Sequence, residues 1–129
     1  MVSADDAMAA VLDVMAGPWV WGVSDCCSAA CDVFARLHGI DPMAPLRGRF
    51  ASRAEALRLI RSAGGWRPMC ADLAARAGLR AGIGGAGELG LVRGGGRLSL
   101  AVGVGHGMWA GRVDGGFATT AGVIWSCRS

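Results

Sequence analysis

The sequence predicts an α+β fold, with N-terminal helices packed on a small C-terminal antiparallel sheet, and three observations carry that expectation. Two capping boxes and apolar residues at helical spacing fill the first half of the chain. Sixteen glycines between Gly78 and Gly122 cut the second half into short apolar runs. Of the 129 residues, 53% are hydrophobic and only 18% charged, which suits a chain that buries a core and excludes a disordered tail. That length supports one domain over residues 1–129 and not two.

The elements follow in order. Ser3 with Asp6 forms a capping box, and Met8, Val11, Leu12 and Met15 recur at helical spacing until Gly17-Pro18, predicting a helix over about residues 3–16. The aromatic loop Trp19-Val20-Trp21-Gly22-Val23 leads to Ser24-Asp25, either of which can cap a helix over Cys26–Leu37 that stops at an αL Gly39. Two Pro and two Gly make residues 39–50 a structured loop. Ser52 with Glu55 opens a helix through Ala56, Leu57, Leu59 and Ile60, ended by Gly64-Gly65. A shorter helix covers Met69–Ala77 and stops at Gly78. Strands are expected at Leu89–Val92, Leu98–Val104, Met108–Ala110 and Val123–Trp125, with turns at Gly94-Gly95-Gly96 and Asp114-Gly115. Residues 81–96 also read as a glycine-rich linker.

Composition excludes several function classes. The net charge is +3, all thirteen bases are Arg, and none clusters or alternates with aromatics as a nucleic-acid surface would. Uncharged stretches such as Ala7–Leu12 and Leu98–Ala110 fall short of the roughly 20 residues that span a bilayer. Met1–Asp6 carries two acids where a secretory signal carries Lys or Arg, so synthesis and retention in a cytoplasm are expected. Five cysteines, with Cys26, Cys27 and Cys31 close together, read as free thiols rather than a disulfide framework.

The most informative site is Asp25-Cys26-Cys27 at a helix start. A thiol in a first turn meets unpaired N–H groups and the positive end of the helix dipole, which favour thiolate and suit a nucleophile. Such a nucleophile needs a base. His38 sits about 18 Å along the same helix and cannot reach, leaving His106 as the candidate partner. Other readings stand beside this one. Cys26, Cys27, Cys31 and Cys70 also suit small core positions, and His106 a surface turn. Cys27 and Cys31 share a helix face, so a zinc or iron-sulfur site completed by Cys70, Cys127 or His106 is an alternative. The five Trp fill a core or, if exposed, mark a docking surface. Gly84-Gly85-x-Gly87 suggests a phosphate loop but lacks a following Lys-Ser/Thr and a preceding strand.

The segment Trp19-Val-Trp-Gly-Val-Ser-Asp-Cys26, followed by a helix and a later Gly87-Glu88-Leu89, resembles the NlpC/P60 papain-like cysteine peptidases. The chain is more closely similar to a small family of NlpC/P60-like proteins encoded in tail modules of phages and gene transfer agents. The shared features there are the Trp-Gly-x-x-Asp-Cys element, the loop at residues 39–50, the Ala-Leu-Arg of 56–58 and Gly64-Gly65. The resemblance covers about residues 18–125. It implies a papain-like fold, Cys26 at the nucleophile position, and Asp25, Trp21 and Gly22 as supporting residues. The family's catalytic His opens a strand as His-Val-Gly-Ile, where this chain has Ala101-Val102-Gly103-Val104. Ala101 thus takes the His slot, and His106 lies roughly 16 Å further along an extended strand.

The resemblance therefore implies a tail-tip component with a degenerate active site and a structural or assembly role. Its partners would be other hub proteins, in a ring closed by heterologous contacts, in a virion assembled in the bacterial cytoplasm. The alternatives are an active cysteine peptidase or amidase using Cys26 and His106 on peptidoglycan peptides, and a cysteine-rich metal module. The first two imply no cofactor.

Overall fold

A computed structural model describes all 129 residues as four helices followed by a six-stranded antiparallel sheet. Helices α1 (Ala4–Val14) and α2 (Cys26–His38) start where the capping residues place them. Ser3 and Asp6 exchange side-chain and backbone hydrogen bonds, and Asp25 caps α2 by accepting from Cys27 N–H and Ser28 N–H. Gly39 ends α2 at φ 71°. Ser52 caps α3 (Arg53–Ser62), and α4 runs Trp66–Arg76. It begins earlier than the expected Met69 because Pro68 stands in the first turn, where a missing N–H costs nothing.

The strands are β1 (Arg80–Ala81), β2 (Leu89–Gly94), β3 (Arg97–Gly105), β4 (Met108–Val113), β5 (Gly116–Thr120) and β6 (Val123–Arg128). Their order across the sheet is β1-β6-β2-β3-β4-β5. β1 and β5 were not expected from the sequence. The sheet curls until the Thr120 hydroxyl, at the end of β5, donates to the Arg93 carbonyl in β2.

One continuous apolar core joins α1, α2 and α4 to one sheet face, through Val11, Val33, Phe34, Leu73, Leu91, Leu100, Val102 and Ala110. The opposite face holds a small cluster of Val92, Ala101 and Trp109. There the Trp109 ring lies on Gly90, where a Cβ would stand 2.6 Å from it, so glycine is the residue that admits the ring.

Residues 81–96 are not a linker. They hold the end of β1, β2, and a loop wrapped around the buried carboxylate of Glu88, which accepts from Ile83 N–H (3.0 Å), Gly84 N–H (3.1 Å) and Gly85 N–H (2.8 Å). The glycines that hinted at a phosphate loop do make an anion-binding nest, and the chain's own carboxylate fills it.

Candidate functional site

Cys26 is the first residue of α2, with Asp25 as its cap. The cap is over-determined. Asp25 is buried and takes four donors: Gly22 N–H at 2.9 Å, Ser28 O–H at 2.6 Å, Cys27 N–H at 3.2 Å and Ser28 N–H at 3.4 Å. Gly22 has φ +82°, and a Cβ there would meet the Phe50 carbonyl oxygen at 2.2 Å. The Trp-Gly step thus lets the loop before α2 press against the loop after it.

A second device holds the same segment. Arg112, on β4, is buried and donates only to main-chain carbonyls: Ser24 (3.0 Å), Met15 (3.1 Å), Gly116 (3.2 Å), Gly17 (2.7 Å) and Pro18 (2.8 Å). The guanidinium fork ties residues 15–24 to the sheet and so fixes where α2 begins. Arg112 was not expected from the sequence. Its one signal was a cation inside the otherwise uncharged run from Met108 to Val113.

The sulfurs of Cys26 and Cys27 lie 3.9 Å apart, and both side chains are half-buried. Hydrogen bonding from the Cys27 thiol, aided by the Leu100 and Cys27 backbones, holds the Cys26 thiol below its ordinary value despite burial and the Asp25 charge. Cys27 shifts the other way: donating to Cys26, and burial, push it well above the usual range. Burial also raises Cys31 strongly, and Cys70 and Cys127 to about 12 each. These last three are core thiols.

The two half-buried thiols open onto a cavity of about 620 Å³. Its walls are the Trp19–Trp21 loop, the start of α2, the loop carrying Met43, Leu46 and Phe50, helices α3 and α4, and β3 from Arg97 to Leu100. Trp19 and Trp21 stand edge to face, with ring centroids 5.1 Å apart. Arg47 locks the third wall to α2 by pairing with Asp32 at 2.6 Å and Asp41 at 3.1 Å.

The structure does not bring Cys26 and His106 together. Leu100 lines the same cavity as Cys26, and His106 lies six residues further along the chain in the tight turn between β3 and β4, exposed and at φ 56°. That separation is roughly 20 Å of strand. Beside it, the Gly105 position packs on Ala4 at the start of α1. His38 is also remote, its Nε2 2.7 Å from the Gly87 carbonyl oxygen. Ala101 is not the residue that faces the thiol. It lies with Trp109 on the far face of the sheet, and Leu100 is the one on the cavity side. The cavity lining includes no His.

The expected metal grouping of Cys27 and Cys31 with Cys70, Cys127 or His106 is likewise not assembled. Donor atoms within 4.8 Å of one another occur instead at Asp25, Cys26 and Cys27. Asp25 is fully engaged as a cap, which leaves the two thiols.

An α+β protein with a capped helix-start thiol in an apolar cleft is the class this geometry defines. The chain belongs to the family described as Domain of unknown function (DUF6950), whose model matches residues 3–125. No curated protein and no solved structure matches it.

Proposed function

We propose that the chain is a non-catalytic structural subunit of the tail tip of a phage or phage-like particle. It carries an NlpC/P60-like fold that keeps the nucleophile position and has lost the base. One observation carries this reading: no histidine lines the cleft onto which Cys26 opens. Without an imidazole in hydrogen-bond reach, neither deprotonation of the thiol nor protonation of a leaving amine has an agent. The resemblance at Trp19–Cys26 and residues 39–50 supplies the tail-module setting. A large apolar cleft without catalytic machinery suits docking of a hub or neighbouring ring subunit.

The active-peptidase reading retains one observation in its favour, the depressed Cys26 thiol. A single complementation experiment decides between them. Deleting the gene should abolish infectious particles, Cys26→Ala should restore them, and the chain should be found in purified tails. Loss of particles with Cys26→Ala, together with turnover of cell-wall peptides by the purified native chain, would establish the enzyme instead.

A further inference from the structure

We infer that the cleft is a binding site for a soft, thiophilic cation of low coordination number, of the Cu(I) type, held by the sulfurs of Cys26 and Cys27. Their separation of 3.9 Å is less than twice the roughly 2.3 Å of a metal–thiolate bond, so one ion can bridge them without moving the backbone. Both thiols open to the cavity, so an ion has an entry path.

The remaining donors at the site select the ion. Asp25, the nearest oxygen donor, already accepts four hydrogen bonds, and the Ser28 hydroxyl is committed to it. Asp25 is therefore not a free oxygen ligand for a hard or octahedral cation. The same cavity is lined by Met43 and Met69, whose thioethers are soft donors suited to Cu(I) and poorly suited to Zn²⁺ or Mg²⁺. The two adjacent thiols are thus the donors the site offers, with soft methionine sulfurs elsewhere in the lining of the same cleft. Binding exchanges two S–H bonds for two Cu–S bonds, with both protons passing to solvent and no change of oxidation state. The site is independent of whether the chain works in a tail tip.

The test is titration of the purified, fully reduced chain with Cu(I) under argon, in competition with bicinchoninate. One Cu(I) per chain should be withdrawn from the chelator. Cys26→Ser and Cys27→Ser should each weaken binding by about 100-fold or more, and Met43→Leu by less, about tenfold. Cys70→Ser should leave affinity unchanged, and circular dichroism of each variant checks that it is folded. Failure of the native chain to compete, or undiminished binding by the folded Cys26→Ser/Cys27→Ser double variant, would overturn the assignment.

Discussion

Leu100 and Cys26 line one cavity, Leu100 with an isobutyl group, and no imidazole lines it with them. The pair makes a sharp prediction. Leu100→His should place an imidazole on the cavity face and raise the iodoacetamide reactivity of Cys26 near neutral pH by about tenfold or more, as ion pairing does in thiol proteases. Ala101→His, on the other face against Trp109, should leave reactivity unchanged and lower stability by about 1–3 kcal/mol through overpacking. Equal reactivity of the two variants would show that β3 does not present residue 100 to the thiol.

Native labelling should discriminate among the five cysteines. Cys26 and Cys27 are half-buried at the cleft, and Cys31, Cys70 and Cys127 lie in the core. Brief alkylation followed by peptide mass mapping should find label on Cys26 first, because Cys27 at the same cleft holds its proton. The other three should react only after denaturant is added, and early modification of Cys70 would contradict the packing of α4 on the sheet.

Arg112 should be among the costliest polar residues to remove. Arg112→Met keeps much of the side-chain volume and leaves five carbonyls without their donor. Some of these will recover water, so the expected loss is about 3–5 kcal/mol rather than the sum of five bonds. Urea denaturation measures it. A loss below about 1 kcal/mol would mean that the Gly17–Ser24 segment holds itself in place.

Glu88 tests the nest. Glu88→Ala strands three N–H donors of the 83–85 loop, at an expected cost of about 2–3 kcal/mol. Glu88→Gln should cost less but not nothing, because its amide NH₂ turns a donor toward donors. Limited proteolysis should cut Glu88→Ala between residues 82 and 87 before any other site, and resistance there equal to the native chain would refute the role assigned to the carboxylate.

What the sequence discloses and what it hides divide along a physical line. Helix starts were legible because Ser3, Asp25 and Ser52 act on N–H groups two or three residues away, and Gly39 needs only its own φ. Asp25-Cys26 was legible for the same reason. β5 was not, since Gly116–Thr120 forms a half-exposed edge with no strong alternation. The resemblance put the His slot at Ala101, which lies on the sheet face away from the cavity while Leu100 lines it, and a one-residue slip in a strand exchanges its two faces. The regular β2–β3 pairing, with Leu91 opposite Leu100 and Gly90 opposite Ala101, sets that register. Register is a property of strand pairs, which no spacing within one strand reveals. Arg112 was hidden likewise, because its partners lie at least 88 residues away along the chain apart from Gly116.

The buried thiols make stability fall in alkali. Cys70 and Cys127 are pushed up to about 12 from an ordinary 9.0, chiefly by burial, and Cys31 moves the same way. Between these values the unfolded chain has released thiol protons that the folded chain still binds. The unfolded state then holds fewer protons, and unfolding becomes easier as pH rises. The slope approaches about 1.4 kcal/mol per pH unit for each such thiol and vanishes below the ordinary value, where both states are protonated. Under reducing conditions the urea midpoint should therefore be level to pH ~8 and decline steadily toward pH ~10.5, and Cys70→Ala should decline less steeply over that interval. The comparison is of slopes, so the cavity left by the truncation shifts the variant's curve downward without mimicking the effect. Parallel declines in the two proteins would show that Cys70 meets the same environment folded and unfolded, contrary to its place on the buried face of α4.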